Sequence, residues 1–144
     1  MLGLVALLGA ACRAPGEPPA HPGVGVYRDI IRRETDSTHT ALATARILVS
    51  AAEKQGVPAT YARVTLRSAV GDLQHVVVDL DQIAAPARAR VPQARLRAIA
   101  HGDALLLARL QHHWGERALQ KQVLNRVTHD ADEIDNTLAT RLQI

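Results

Sequence analysis

Five side chains are of types that could bind a metal ion or exchange a proton inside a helical protein. They are Glu34, Asp72, His75, Asp103 and Asp130. Glu34 and Asp103 each fall within a stripe of apolar residues that recurs at helical spacing. Asp72 and His75 form an Asp-x-x-His motif. At a rise of about 1.5 Å per residue, Glu34, Asp103 and Asp130 fall at similar heights along neighbouring helices. The pattern predicts a polar layer whose carboxylates and imidazole could hold a metal ion.

This layer resembles the di-iron sites of ferritin-like bundles, which use Glu from two helices and Glu-x-x-His from the other two. The resemblance implies a metal centre in the bundle core. The chain departs from it because the motif occurs once, as an Asp variant on a polar helix face, and because Glu133 stands where a His would follow Asp130. The interpretation we favour is that Glu34 and Asp103 lie at stripe edges or pair with arginines. On that interpretation the protein needs no cofactor.

Other catalytic and metal-binding arrangements find little support. The seven histidines are His21, His39, His75, His101, His112, His113 and His129. None is four residues from another, so we expect them on the surface, with a His-rich metal-binding surface as the alternative. The serines lack a nucleophile motif, and no glycine-rich phosphate loop follows a strand pattern. We therefore expect no enzymatic activity.

Four segments of apolar residues at helical spacing organise most of the chain. They open near Val24, Pro58, Pro92 and Glu116 and are interrupted at Gly56, Pro86 and Gly115. Short connections favour antiparallel neighbours, so the pattern predicts an all-α, up-down-up-down four-helix bundle over residues 26–144. The run 35–38, Thr-Asp-Ser-Thr, is poor in helix interiors, so the first helix could begin or bend at Asp36. Without Phe, the Ala, Val and Leu core should be thin.

Composition limits the alternatives. At 144 residues, the chain has room for about one domain. Aromatic residues are only 2% of the chain, which argues against base-stacking nucleic-acid modules and against an all-β sandwich. The single Cys excludes an intramolecular disulfide and a cysteine-rich zinc site.

The first twelve residues carry a targeting pattern. Residues 1–11, MLGLVALLGAA, are uncharged and apolar, and Cys12 follows them. The run is too short to span a bilayer as a helix, which takes about 20 residues. With small residues before the Cys, it resembles a bacterial lipoprotein signal peptide, although Gly9 stands where Leu is usual and no basic residue precedes Arg13. The resemblance implies removal of residues 1–11 and acylation of Cys12, for example with palmitate.

Residues 12–25 continue the same pattern as a tether. Four of the seven Pro lie there, and such a composition cannot pack a core. The resemblance implies a protein held by lipid at the cell membrane or, because Arg13 follows Cys12, at an outer membrane, facing out of the cytoplasm into the cell envelope or periplasm. The alternatives are an ordinary secretory signal cleaved near Ala11 and an apolar start on a cytosolic protein.

The positive charge of the chain is uneven. The formal net charge is +3, and residues 86–97 hold four Arg and no acidic residue. In the predicted bundle this connection lies at the end where the chain enters from the tether, beside the basic start of the first helix. Seven arginines could there contact anionic lipid head groups: Arg28, Arg32, Arg33, Arg88, Arg90, Arg95 and Arg97. Nucleic acid is a poor partner because no recognition helix is apparent.

The function expected from these observations is a lipid-anchored helical bundle with a structural or partner-binding role. Its partner would be another envelope protein or a second copy of the chain. A metal-binding bundle in the envelope is the main alternative. A soluble cytosolic regulator that associates through the bundle is a third interpretation.

Overall fold

A computed structural model describes residues 19–142, with the exception of the Thr137 side chain. The predicted signal peptide (1–11), the predicted acylation site at Cys12 and the first part of the predicted tether lie outside the described residues. Within them the protein is all-α, as the apolar periodicity predicts. A single isolated bridge is the one β-type pairing that residues 19–142 contain.

The helices follow the segments read from the sequence. Helix α1 spans Val24–Gln55, α2 spans Ala59–Asp81 and α3 spans Arg90–His112, preceded by a 3-10 turn at Ala87–Ala89. Helix α4 spans Arg117–Glu133 and continues through a π-helical turn, Ile134–Leu138, into the short α5, Ala139–Leu142. Helix α1 ends where Gly56 takes a φ of 72°, a conformation that favours glycine.

Helix α1 does not begin at Asp36, because it is continuous through the polar run 35–38. The Thr35 hydroxyl donates to the Ile31 carbonyl at 2.7 Å, and the Thr38 hydroxyl donates to the Glu34 carbonyl at 2.8 Å. These bonds satisfy the hydroxyls inside the helix, so the run need not serve as a cap.

The helices pack around one core of mostly aliphatic side chains. Helices α1 and α3 each lie against both α2 and α4, and they also touch each other. Alanines contribute throughout the core, with Ala45, Ala62 and Ala100 fully buried. The large, fully buried side chains are Tyr27, Leu42, Leu66, Leu73, Leu80, Leu96, Ile99, Leu107, Leu110 and Ile134. Burial of this surface provides most of the favourable free energy of folding.

One end of the molecule joins the start of the described chain to the connection between α2 and α3. We call this the proximal end and define it as residues 19–32 and 82–91. The Ala20 N–H donates to the Gln82 carbonyl at 3.0 Å, and the Ala84 N–H donates to the Ala20 carbonyl at 2.8 Å. The buried Tyr27 hydroxyl donates to Gln93 Oε1 at 2.8 Å. The first residues of α1 are thereby fixed against the start of α3.

A second group of residues, which we call the distal end, comprises the connections α1–α2 and α3–α4. Trp114 is buried there and its indole N–H donates to the Val57 carbonyl at 3.4 Å, while the Gln120 amide donates to the Trp114 carbonyl at 2.5 Å. Among residues 19–142, none of the helices combines the length and the apolar character needed to span a membrane.

Candidate functional site

Two aspartates meet in the interior between α3 and α4. Asp103 lies on the buried face of α3 with Ile99 and Leu107, and it is 0% exposed. Asp130 follows Val127 on the buried face of α4 and is 1% exposed. Burial of ionisable groups without full pairing is costly, so the pair is the most unusual chemical feature of this interior.

Arg126 is the cation that serves both carboxylates. It lies four residues before Asp130 on α4, and its Nε donates a short hydrogen bond to Asp130 Oδ2. The same Nε lies 3.5 Å from Asp103 Oδ1. Its guanidinium passes over Gly102, where a Cβ would come within 3.3 Å of Arg126 Nη2. A glycine at position 102 therefore leaves room for the arginine to cover the pair from the solvent side.

One cation does not satisfy two buried carboxylates. Both oxygens of Asp103 and Oδ1 of Asp130 have no hydrogen-bond partner within the described part of the chain. Burial, and next the negative charge of Asp130, raise the pKa of Asp103 to about 7, and Arg126 opposes this rise. The Asp103 carboxyl therefore exchanges its proton near neutral pH, inside the protein.

The outer edge of this site carries a second ion pair and a histidine. Arg95 of α3 donates to both Glu133 oxygens, at 2.7 and 2.6 Å, and lowers the pKa of that carboxyl. One ligand atom each from His129, Asp130 and Glu133 lie within 4.8 Å of one another. Their nitrogen and oxygen donors suit a divalent metal ion. Arg95 and Arg126 compete for two of the three ligands, however, so a metal would have to displace them.

Glu34 is buried elsewhere, between α1 and α2. Arg33 donates from Nε to Glu34 Oε1 at 2.7 Å and reaches Asp79 of α2 from Nη2 at 3.1 Å. Burial raises the pKa of Glu34, and the Arg33 hydrogen bond and charge oppose the rise. The interactions of Glu34 go to α1 and α2, whereas those of Asp103 go to α4. The predicted polar layer is therefore divided between two helix pairs.

The Asp-x-x-His motif faces solvent. Asp72 and His75 are both exposed on α2, whereas their neighbours Leu73 and Val76 are buried. Asp72 lines an open groove of about 500 Å³ together with residues of α1, among them Arg32. The predicted metal set thus comprises one buried pair (Asp103 and Asp130), one separately buried glutamate and two surface residues.

The seven arginines of the predicted head-group surface fall into two groups. Arg33, Arg95 and Arg97 are paired with carboxylates, Arg97 with Asp81 across the start of α3. Arg28, Arg32, Arg88 and Arg90 are exposed. Of these, Arg32, Arg88 and Arg90 form no ion pair with any residue of 19–142.

Sequence reasoning missed two polar residues that organise the structure. Arg126 could have been found from its spacing of four residues to Asp130, which places the two on one helix face. Gln93 gave no such signal. It is buried, accepts from Tyr27, and its amide donates to the carbonyls of Leu80 and Ile83 at 3.0 and 3.1 Å, closing the end of α2.

Comparison with known proteins gives no relative for this arrangement: no family model, no curated protein and no solved structure matches the chain.

Proposed function

We propose that this protein is a lipid-anchored lipoprotein of the cell envelope, whose antiparallel up-down-up-down helical bundle is a structural or partner-binding module outside the cytoplasm. The observation that carries the proposal is the position of Ala20. This residue lies eight positions after Cys12. Both its N–H and its carbonyl form hydrogen bonds with the α2–α3 connection. The orientation of the bundle therefore follows from where the anchor is attached.

Side-chain contacts at both ends support the antiparallel topology. Near the proximal end, Arg33 on the first part of α1 reaches Asp79 at the end of α2, and Arg95 near the start of α3 binds Glu133 at the end of α4. At the distal end, Trp114 after α3 bonds to the chain just after α1. These contacts support the proposal that consecutive helices run in opposite directions, the arrangement that short connections favour.

Chain geometry gives the anchor a short reach. An extended chain covers at most about 3.5 Å per residue, so the eight steps from Cys12 to Ala20 span at most about 28 Å. Acyl chains on Cys12 would hold the proximal end within that distance of the membrane surface. The distal end, with the α1–α2 and α3–α4 connections, would then point away and be accessible to another protein.

Apolar side chains on the distal parts of the helices support a binding role. Ile47, near the end of α1, is 67% exposed, and Tyr61 and Val64, in the first turns of α2, are 62% and 61% exposed. Exposed Tyr side chains are frequent at protein interfaces because the ring buries apolar surface and the hydroxyl stays hydrated. A binding role depends on such exposed surface and needs no reactive group.

Metabolic labelling with a palmitate analogue tests the anchor. We expect the wild-type chain to incorporate the label and to fractionate with membranes. Cys12→Ser should lose the label, because the only thiol in the chain is removed. Pro15→Ser, a change in the tether that keeps the thiol, is the matched control and should label normally. Label on Cys12→Ser, or unlabelled wild-type protein with an intact Met1 by mass spectrometry, would overturn the proposal.

Metal binding is a second candidate, favoured by the convergence of His129, Asp130 and Glu133. Titration of the chelator-treated, purified protein with Zn²⁺ or Mn²⁺, followed by calorimetry, tests this directly. Binding should weaken at least tenfold in His129→Gln, because one of only three ligands is lost. His112→Gln, an exposed histidine on α3, is the control. Absence of saturable binding in the wild-type protein would end this candidate.

A further inference from the structure

The proximal end holds the whole charge imbalance of the protein. Its two segments contain four arginines (Arg28, Arg32, Arg88 and Arg90) and one acidic residue, Asp29. That excess equals the formal net charge of +3 for the entire chain, so the remaining residues are neutral in sum. A local excess of exposed positive charge at one end of a molecule attracts anionic surfaces.

Exposed apolar side chains lie in the same two segments. Val24 and Val26 at the start of α1 are 58% and 57% exposed, and Val91 at the start of α3 is 76% exposed. The hydrogen bond from Tyr27 to Gln93 joins the starts of these two helices, so the three valines belong to one end of the molecule. Apolar side chains interleaved with arginines are typical of surfaces that rest in the head-group region of a bilayer.

The arginines differ in whether they can bind another anion. Arg33, Arg95 and Arg97 already bind carboxylates of the protein. Arg32, Arg88 and Arg90 have no carboxylate partner among residues 19–142, and all three are exposed. The guanidinium groups of these three are therefore available to phosphate oxygens, which they can bind in a two-pronged manner.

We propose that the proximal end is a second membrane contact, which docks on an anionic lipid surface with Val24, Val26 and Val91 in the head-group region and Arg32, Arg88 and Arg90 on phosphates. The inference rests on the proposed lipid anchor, which brings this end within about 28 Å of the surface. Docking would fix the bundle upright, so that the distal end is presented at a constant height.

Charge complementarity favours lipid over a protein partner at this end. Each basic side chain near an anionic surface strengthens binding by about fivefold at moderate ionic strength. Three such side chains on a small surface give a large preference for anionic over neutral lipid without any shaped pocket. The apolar component is modest, because the exposed residues are valines rather than large aromatic side chains.

Vesicle binding of the full chain carrying Cys12→Ser tests the contact without acylation, so its outcome is independent of whether the lipid anchor forms. We expect this protein to sediment with vesicles containing phosphatidylglycerol and to bind pure phosphatidylcholine at least tenfold more weakly. Arg88→Gln combined with Arg90→Gln should reduce binding to the anionic vesicles by about 25-fold. Val91→Ser should reduce it by about threefold.

A matched double variant controls for total charge. Arg63 and Arg117 are exposed at the start of α2 and of α4, at the distal end, and Arg63→Gln with Arg117→Gln removes the same charge. This control should bind within twofold of the parent. Equal binding to both lipids, or equal losses in the two double variants, would overturn the inference. Equally tight binding to double-stranded DNA, lost in the proximal double variant, would overturn it in favour of a general polyanion surface.

Discussion

The α1–α2 pair and the α3–α4 pair bury acidic side chains in different ways. Glu34 lies beside an arginine that is its neighbour in sequence and that also reaches the next helix. Among the described residues, Asp103 forms an ion pair with Arg126 of α4, which already binds Asp130, and with no basic residue of its own helix. The first carboxylate is satisfied locally, whereas the second is satisfied only when two helices are docked. Glu34 can therefore be paired by a residue of its own helix, whereas the charge of Asp103 is compensated only when α3 and α4 are packed together.

The largest expected effect comes from the titration of Asp103. Its pKa is about 7 in the folded protein, against about 3.9 in an unfolded chain. Because the folded pKa is the higher one, the folded state binds the extra proton. The contribution of Asp103 to the free energy of unfolding is therefore fully present below about pH 4. It is lost as the pH rises towards and through 7.

The loss should reach at most about 1.4 kcal/mol per pH unit between pH 5 and 7. Asp103→Asn mimics the protonated acid, because its amide can donate to the unpartnered Asp130 Oδ1. The variant should be the more stable one at pH 8 and nearly equal to wild type at pH 4. Urea denaturation at both pH values measures the difference. If the free energy of unfolding changed by the same amount between pH 4 and pH 8 in the wild-type protein and in the variant, the titration of Asp103 would not be coupled to stability.

Removal of the shared cation should have the next largest effect. Arg126→Met keeps the apolar length of the side chain but removes the one cation that contacts both Asp103 and Asp130 within the described residues. Breaking a buried ion pair costs about 3–5 kcal/mol, and because Arg126 is 45% exposed we expect nearer 2 kcal/mol at pH 8. At pH 5 the loss should shrink, since protonation relieves the repulsion. Arg67→Met on the exposed face of α2 is the control, and an equal loss there would contradict the assignment.

The sequence indicated that Glu34 and Asp103 lie on or beside apolar stripes, but it indicated neither the burial of Asp130 nor the partners of the three carboxylates. Glu34 and Asp103 sit within apolar stripes, and a stripe reports which helix face is covered. Which carboxylates then meet depends on how α4 is rotated against α3, and on the space that Gly102 leaves for Arg126. The motif at Asp72 and His75 shows the same limit: its spacing was recognisable, but the helix face carrying it points outward.

The proximal end shows what periodicity can and cannot give. The helix boundary near Val24 at this end was predictable, as were those near Gly56 and Pro58 at the distal end, because proline fixes φ and glycine accepts the positive φ at a helix end. The exposure of Val24 and Val91 was not, since both count as apolar in any pattern. Their exposure follows from the absence of a covering element at this end within residues 19–142.

Two glycines, one in each helix pair, provide a smaller test of the contrast between the α1–α2 pair and the α3–α4 pair. Gly71 lies in α2 and has open space where a Cβ would be, whereas Gly102 in α3 faces Arg126 at 3.3 Å. Gly71→Ala should stabilise the protein by about 0.5–1 kcal/mol through helix propensity. Gly102→Ala gains the same propensity but must shift the guanidinium that covers Asp103, so its net gain should be lower. Thermal unfolding of both variants decides this, and a larger gain at position 102 would show that Arg126 moves freely.

The smallest effect should be that of Glu34→Gln, the counterpart of Asp103→Asn in the other helix pair. Burial raises the pKa of Glu34, so the neutral side chain should be slightly favoured at pH 8. Gln keeps the acceptor for Arg33 Nε, and Arg33 is 63% exposed and retains Asp79 as a partner. Because solvent screens this pair, we expect stabilisation below about 0.5 kcal/mol, with a weak pH dependence. A change in urea denaturation as large and as pH-dependent as that of Asp103→Asn would show that the two helix pairs handle buried charge alike, and that the contrast between local and shared pairing is wrong.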